Sequence, residues 1–184
     1  DSIERNTLKG KRDYALINLM IRRGLRAVEI TRINIGDLRQ LSGKPILYIQ
    51  GKGSDQKDQF SVLSSAIVKP IFDYLAVRPN NENSQPLFGS VGDSNRHQPI
   101  TTKTIRHMVK DRLIRIGINS TRISTHSLRH TAVTFCLLGD GDIQNAQLLA
   151  RHSNINTTLI YAHNINHIKE PPGRFVDSFL EQTK

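Results

Sequence analysis

The polar stretch from His126 to Tyr161 constrains the fold and chemistry of this chain more than any other part of the sequence. Two histidines, an arginine and a tyrosine recur there among apolar residues, namely His126, Arg129, His152 and Tyr161. A polar side chain enclosed by apolar neighbours needs a hydrogen-bond partner, because burial without one costs free energy. The pattern therefore predicts a buried scaffold that holds several polar groups at one point, as a phosphate site requires.

Helical signals place the first two of these residues. Ser124 or Thr125 can cap a helix that ends near Gly139. The residues expected on its buried face are Leu128, Ala132, Phe135 and Leu138. His126 and Arg129 fall within its first turn, so both can point at one ligand, and the backbone amides at this helix start favour an anion.

Two further helices are expected in the same stretch. A helix from Asp142 to Ala150 leads into a polar turn, residues 151–154, which should project His152. A third helix begins near Asn156 and is expected to carry Tyr161 near its end, before another polar turn. These helices would supply the scaffold for the polar set.

The preceding sequence predicts a mixed fold. A helix is expected from about Thr7 to Arg22, with a short second helix after a break at Gly24. Three short β-rich segments separated by glycine turns predict a small sheet; they are Leu38 to Leu41, Ile46 to Gln50 and Gln59 to Leu63. The predicted fold class is therefore α+β, mainly α-helical, with a small three-stranded antiparallel sheet.

Four short motifs occur along the chain in a fixed order. They are Gly24-Leu25-Arg26-x-x-Glu29, Gly51-Lys52-Gly53, His126-x-x-Arg129, and Arg151-His152-Ser153-Asn154 with Tyr161 after it. In residue types and order they strongly resemble the catalytic core of the tyrosine recombinases, the phage integrase family. The resemblance covers most of the chain and implies a helical catalytic domain with a small sheet.

The resemblance implies DNA cleavage without ATP, metal or cofactor. Tyr161 would attack a phosphate and form a 3′-phosphotyrosyl link that conserves the bond energy. Arg26 and Arg129 would clamp the phosphate as bidentate donors, and His152 would donate a further hydrogen bond. A 5′ hydroxyl from a partner strand would reverse the step, which turns cutting into strand exchange.

Two other motif residues would move protons. The resemblance implies that His126 assists proton transfer at Tyr161 and that Lys52 protonates the leaving 5′ oxygen. Lys57 is a rival for the second role, because the segment after the glycine turn departs from the basic run common in the family. The sequence leaves the choice between Lys52 and Lys57 open.

Two spacings also allow simpler interpretations. Glu29 is expected to support Arg26, but a separation of three residues equally allows an ordinary surface ion pair. His126 and His130 have a spacing seen in zinc sites, yet no glutamate lies between them and no acidic third ligand is evident. We therefore predict no metal at this site.

The net charge points to a polyanionic partner. Lys and Arg number 26 against 16 Asp and Glu, a formal charge of +10. RNA-binding proteins share this balance, and double-stranded DNA is the partner that the resemblance implies. A basic helix beginning near Thr101 would contact the DNA backbone through Lys103, Arg106 and Lys110, unless its charged face is merely solvated.

Arg151 stands where the family usually has glycine, which should crowd the turn that presents His152 or add a phosphate contact.

Residue usage bounds the class of protein. The single cysteine, Cys136, excludes an internal disulfide and is expected in the core of a cytoplasmic protein. No apolar run is long enough for a membrane span, and no signal-peptide core is present. Residues 1–184 are expected to form one catalytic domain, a fragment without the N-terminal DNA-binding domain that is usual in the family.

A short apolar tail follows Pro171-Pro172-Gly173. Residues 174–184 can form a helix with one apolar side, whose members are Phe175, Val176, Phe179 and Leu180. Such a tail either folds back on its own core or docks on a neighbour. The resemblance implies docking in trans, within a homo-oligomer on DNA that ranges from dimer to tetramer.

Site-specific DNA recombination, as by an integrase, is the function that these features predict. A type IB topoisomerase-like strand transferase uses similar chemistry, but this chain is short and its Tyr161 motif is of the integrase kind. A non-catalytic DNA-binding module would explain the charge and the helices, but it would not explain the full set of motifs.

Overall fold

The structure is a computed structural model that describes residues 3–51, 53–92, 98–169, 171 and 173–182. The chain divides into two compact units, Asp1–His130 and Thr131–Lys184. The division falls inside a helix, Thr125–Leu138, which therefore contributes residues to both units.

The described residues are mainly helical. The helices are α1 (Leu8–Arg23), α2 (Ala27–Thr31), α3 (Ser65–Leu75), α4 (Thr102–Arg115), α5 (Thr125–Leu138), α6 (Ile143–Ala150), α7 (Asn156–Lys169) and α8 (Gly173–Gln182). The strands are β1 (Leu38–Leu41), β2 (Lys44–Ile49) and β3 (Gln59–Val62), which form an antiparallel sheet in that order. The predicted class, mainly α-helical α+β with a small three-stranded antiparallel sheet, is confirmed.

The sheet is built from a tight hairpin and a longer connection. Ser42 and Gly43 join β1 to β2 with φ angles of 50° and 73°. Two positive φ angles in a two-residue turn match the twist of paired strands, and glycine adopts such an angle without strain. Leu38 consequently lies opposite Leu47.

Helix α1 forms the centre of the core of the first unit. The Thr7 hydroxyl accepts a hydrogen bond from the Gly10 amide at 3.0 Å, and Gly24 ends the helix in the left-handed region with a φ of 59°. The fully buried apolar residues of this helix are Ala15, Leu16, Leu19 and Met20. The broad apolar face in the sequence thus corresponds to a helix that is enclosed along much of its length.

Helix α3 packs along α1 although it contains a proline. Pro70 has no amide hydrogen, so it cannot donate to the Ala66 carbonyl one turn earlier. Asn18 of α1 donates from Nδ2 to that carbonyl at 2.7 Å. The side chain of α1 replaces the hydrogen bond that the proline removes, and this contact joins the two helices.

A buried ionic group links α1 to α4. Asp13 is fully buried, and its carboxylate lies 2.6 Å from Nη2 of Arg12 and 3.4 Å from Nη2 of Arg112. Arg12 also donates from Nη1 to the Gly89 carbonyl at 3.0 Å. Buried charges require such pairing, since an isolated one would be expensive to desolvate.

The second unit has a small core of its own. Val133 of α5, together with Ala146 and Ala150 of α6, is fully buried. The expected buried face of α5 is wrong in part, because Phe135 and Leu138 are 60% and 48% exposed. The α5 residues that contact this core are Val133, Cys136 and Leu137, because these positions pack with Ala146 and Ala150 of α6.

Helix α7 is longer than predicted. It runs to Lys169, so Tyr161 lies in its first half, and the predicted polar turn directly after Tyr161 is wrong. Thr158 is fully buried and Ile165 is 8% exposed, which places both on one stripe with Tyr161. That stripe continues the buried face beyond the tyrosine and favours a continuous helix.

Helix α8 forms where a helical tail was predicted. Its large apolar side chains are exposed: Phe175 by 66%, Val176 by 59%, Phe179 by 66% and Leu180 by 59%. Over the part of the chain that the structure describes, no helix has the length and apolar character needed to cross a membrane.

Candidate active site

Arg26 is held at the start of α2 by Glu29. One Glu29 oxygen accepts from the Arg26 backbone amide and the other from Nη1, each at 2.8 Å. The Glu29 side chain is only 1% exposed, whereas that of Arg26 is 26% exposed. The ion pair that the spacing allowed is therefore present, but its acidic member is buried and fixes both the backbone and the side chain of Arg26.

Arg129 is almost fully buried, with 2% of its surface exposed. Its Nη1 donates to the Gly24 carbonyl at 2.6 Å. Gly24 is the left-handed residue that ends α1, two positions before Arg26. The contact brings the first turn of α5 to the same loop as Arg26, across 105 residues of sequence.

His126 occupies the N-terminal turn of α5, as predicted. Its amide donates to the Ser124 hydroxyl at 3.3 Å, which identifies Ser124 as the capping residue. The pKa of His126 is lowered from 6.5, first by partial burial and then by the positive charges of His130, Arg129 and Arg26. A neutral imidazole at neutral pH can accept a proton, so the local charges suit a base.

The ring of His130 packs edge-on against that of His126, with centroids 4.7 Å apart. The pKa of His130 is also lowered, by partial burial and by Arg129. Within the described ranges, no three His, Cys, Asp or Glu side chains are grouped so that they could hold a metal ion.

His152 is presented by a firmly bonded turn in the second unit. Its amide donates to the Gln147 carbonyl at 3.1 Å, and its own carbonyl accepts from Gln147 Nε2 at 3.0 Å. The ring nitrogen Nδ1 lies 3.0 Å from the hydroxyl of Thr158, a fully buried residue. These contacts fix the ring plane, which is what a hydrogen-bond donor to a phosphate needs.

Arg151 adopts a conformation that glycine would favour. It ends α6 in the left-handed region, with φ 51° and ψ 48°. Its Nη1 donates back to the Leu149 carbonyl at 3.1 Å. A residue with a Cβ atom is strained in this region, and the Arg151 side chain lies partly along its own helix end.

Tyr161 is half-buried on α7. Its side chain packs against Val133, Ala146 and Ala150, the core of the second unit. A tyrosine anchored in this way has little freedom to reorient, so the helix sets the direction of its hydroxyl. Cys136 contacts the same core, and burial raises the pKa of its thiol, with a further contribution from Asp142.

Lys52 lies outside the described residues. The rival residue, Lys57, forms an ion pair with the carboxylate of Asp37, a buried residue at the end of the 3-10 turn Ile35–Asp37. Gly53 has a φ of 79°, which confirms a glycine turn at this point of the β2–β3 connection.

The basic helix α4 carries its predicted cations in two different environments. Lys103 and Arg106 are exposed. Lys110 is half-buried, and its Nζ donates to the Ser120 carbonyl at 2.5 Å. The first two side chains therefore reach solvent, while Lys110 also holds the loop that follows the helix.

Three supporting residues were not anticipated from the sequence, namely Thr158, Gln147 and Gly24 through its carbonyl. The sequence contains a weak indication for Thr158, since it is a polar residue on the apolar stripe of α7. The sequence contains no indication for Gln147 or for the Gly24 carbonyl, because their roles depend on hydrogen bonds that form only once the chain has folded.

Comparison with known proteins agrees with this arrangement. The sequence profile of the Phage integrase family matches residues 2–167. Tyrosine recombinase XerC of Caldanaerobacter subterraneus subsp. tengcongensis is 38% identical over 156 residues, which are 83% of this chain and 41% of that protein. Tyrosine recombinase XerD of Yersinia pestis is 34% identical over 156 residues, 83% of this chain and 50% of that protein. The chain spans about half the length of the curated relatives it matches.

Solved structures show the same fold. XerA recombinase superposes with a TM-score of 0.70 at 27% identity, over 88% of this chain and 57% of that one. A post-cleavage complex of the XerH site-specific recombinase with a palindromic difH substrate has a TM-score of 0.73 at 22% identity, over 97% of this chain and 48% of that one. The predicted resemblance to the family is confirmed, and this chain belongs to the phage integrase family.

Proposed function

We propose that this chain is the catalytic part of a site-specific DNA recombinase, which cuts and rejoins strands through a 3′-phosphotyrosyl intermediate at Tyr161. The observation that carries the proposal is the assembly of Arg26, His126 and Arg129 around the end of α1. Relatives that match most of this chain are named tyrosine recombinases, and the XerH structure is a complex with its DNA substrate. A type IB topoisomerase-like enzyme and a non-catalytic DNA-binding module are not favoured by these names.

The two arginines would stabilise charge on the scissile phosphate. Glu29 fixes Arg26, and the Gly24 carbonyl fixes Arg129, so both guanidinium groups are oriented before a ligand arrives. Donors that need no reorganisation stabilise a transition state better than mobile ones. His152, whose ring Thr158 orients, would add a third hydrogen bond to a non-bridging oxygen.

Proton transfer would accompany the attack. The Tyr161 oxygen forms a bond to phosphorus as the bond to the 5′ oxygen breaks, and His126 accepts the phenolic proton. Lys52 donates a proton to the departing 5′ oxygen, with Lys57 as the alternative donor. In the reverse step a 5′ hydroxyl attacks the phosphotyrosine; the lysine accepts the proton of that hydroxyl, and His126 returns a proton to the Tyr161 oxygen as its bond to phosphorus breaks.

The partners that we propose are duplex DNA and further copies of the chain. Lys103 and Arg106 would contact the DNA backbone from α4, with Lys110 and Arg151 as further contacts. The exposed apolar face of α8 would dock on a neighbouring copy in a dimer or tetramer. Residues 1–184 would act as the catalytic domain, 174–184 as its tail, and a separate domain of the whole protein would complete the grip on DNA. A cytoplasmic location remains a prediction.

Trapping of a covalent complex tests the proposal. A nicked duplex releases a short strand after cleavage, so religation fails and the protein stays attached to DNA. Incubation should give a protein–DNA band that resists denaturant and disappears after protease treatment. Tyr161→Phe is the matched control, because it removes only the hydroxyl and should bind DNA with unchanged affinity. A covalent band of equal intensity with Tyr161→Phe would rule out this nucleophile.

A further inference from the structure

A cationic groove lies between α1 and α3, and its lining includes none of the residues assigned to catalysis. It has a volume of about 740 Å³ and is lined by Arg5, Lys11, Tyr14, Arg22, Ser65, Ala66, Lys69, Pro70 and Asp73. None of these residues belongs to the four family motifs. Its volume lies within the range of sites that bind small molecules or short peptide segments.

The charge of the groove is unbalanced. Four cations and one carboxylate line it. Asp73 already pairs with Lys69 at 3.1 Å on the same helix, so that pair contributes little net charge. Lys11 and Arg22 add positive charge from α1, and they therefore favour an anionic ligand.

The cations are spread along the groove. Lys11 and Arg22 are eleven residues apart on α1, which is about three helical turns, so they share one face about 16 Å apart along the axis. An extended peptide covers that distance with about five residues. The spacing is too wide for the clustered phosphates of a single nucleotide and suits a linear segment.

The floor of the groove is apolar and preformed. Tyr14 lies between the cations, with the Arg5 guanidinium 4.3 Å above its ring. Ala66 and Pro70 face it from α3, where the Asn18 contact to the Ala66 carbonyl joins the two helices. An apolar floor can accept an apolar side chain, which a DNA backbone does not present.

We propose that this groove binds an extended acidic segment of a partner protein, with acidic residues near Lys11 and Arg22 and an apolar side chain against Ala66 and Pro70. The segment lies along α1, and the rigid pairing of α1 with α3 lowers the cost of ordering the site. The inference does not depend on the catalytic role proposed for Tyr161.

A fluorescent peptide tests the proposal by anisotropy. The probe is a seven-residue peptide with paired glutamates at both ends and a central phenylalanine; its control has glutamines in place of the glutamates. Lys11→Glu with Arg22→Glu should weaken binding of the probe by about tenfold or more, since two attractive contacts become repulsive. Lys9→Glu with Lys44→Glu alters net charge equally at exposed positions outside the groove and should change the affinity by less than about twofold.

A second variant tests shape independently of charge. Ala66→Trp fills the floor at an exposed position and should also abolish binding of the peptide, without lowering the melting temperature. If Lys11→Glu with Arg22→Glu and Lys9→Glu with Lys44→Glu weakened peptide binding equally, the effect would come from net charge alone and the proposal would be overturned. It would also be overturned if the glutamine peptide bound equally well, or if the groove variants impaired only the binding of random duplex DNA.

Discussion

His126 illustrates how much of the proposed chemistry is set by immediate neighbours. Partial burial is the first cause of the lowered pKa of His126, and the positive charges of His130, Arg129 and Arg26 lower that pKa further. Each of these charges disfavours the imidazolium form. The arginines that would bind the phosphate therefore add to the effect of burial and further disfavour a charged His126.

We expect the pKa of His126, measured by NMR titration, to lie below 6.5. His130→Asn should raise it, because one of the neighbouring charges is removed. In the wild-type chain the pKa values of His126 and His130 are lower in the folded state than in the unfolded state, so the folded chain binds fewer protons near pH 6.5. The stability that these two neutral histidines contribute is therefore complete above pH 6.5 and is lost as the pH falls through their folded pKa values. The double variant His126→Asn with His130→Asn should show a flatter fall in melting temperature on acidification. An unchanged pKa in His130→Asn would contradict the electrostatic coupling.

Lys52→Ala should slow cleavage by roughly 100- to 10,000-fold, the range of a lost general acid. A substrate with sulfur in place of the 5′-bridging oxygen leaves as a thiolate and needs no proton. It should restore cleavage by Lys52→Ala but not by Arg129→Ala, whose defect lies in binding transition-state charge. Rescue of Lys57→Ala, with nearly normal activity in Lys52→Ala, would transfer the acid role to Lys57 in spite of its ion pair with Asp37.

At the level of elements, contacts at helix ends and helix breaks position the candidate site. Gly24 ends α1 and receives Arg129 from α5, while Arg151 ends α6 in a strained conformation directly before His152. A helix end leaves backbone carbonyls without helical partners, so it is a natural place for a side chain from elsewhere to bind. Pro70 likewise leaves the Ala66 carbonyl of α3 without a helical partner, and Asn18 of α1 donates a hydrogen bond to that carbonyl.

The contact between Asn18 and Ala66 predicts a coupled pair of substitutions. Asn18→Ala should destabilise the fold by about 0.5–1.5 kcal/mol, because the Ala66 carbonyl loses its donor. In a Pro70→Ala background the restored backbone amide can bond that carbonyl, so the same change should cost clearly less. Denaturant unfolding of the four proteins measures the coupling. Additive effects would show that the proline and the asparagine do not share this carbonyl.

Helix α4 gives a second prediction at this scale. If Lys103 and Arg106 bind phosphates, replacing each by alanine should flatten the plot of log affinity against log salt by about 0.9 for each phosphate that is no longer neutralised. Lys110→Ala should also flatten the slope if Lys110 binds DNA, and it should reduce stability because the hydrogen bond to Ser120 is removed. Lys44→Ala, an exposed change on β2, is the control. An unchanged slope for Lys103→Ala and Arg106→Ala would mean that this face is only solvated.

For the whole molecule, the question is what α8 contacts. Large apolar side chains at 59–66% exposure are unusual at the surface of a small chain and favour an interaction with another molecule. Residues 174–184 lie in the second compact unit, Thr131–Lys184, so their removal takes no residue from the first unit.

Deletion of residues 174–184 should leave a folded chain that no longer assembles on DNA and cleaves it weakly or without partner control. Sedimentation of the protein–DNA complex measures the assembly, and nicked-substrate trapping measures cleavage. Phe175→Ser with Phe179→Ser should reproduce the assembly defect without shortening the chain. Loss of folding after the deletion would show instead that the tail packs on its own chain.

Local sequence patterns were sufficient to predict much of the secondary structure of this chain. Capping residues and apolar periodicity predicted α1, α5 and α6 to within one or two residues, because these signals act over a single turn. Glycine turns predicted the small sheet for the same reason. Spacing within α5 placed His126 and Arg129 in one turn, and the motif order was enough to identify the family.

Pairings across long stretches of sequence required the folded chain. Arg129 meets the Gly24 carbonyl, Arg112 meets Asp13, and Asn18 meets the Ala66 carbonyl, yet no local pattern distinguishes these partners from similar residues elsewhere. The extension of α7 beyond Tyr161 was missed because a polar sequence can remain helical when one residue, Ile165, is buried by packing. Burial depends on what lies opposite a side chain, and only tertiary packing determines that.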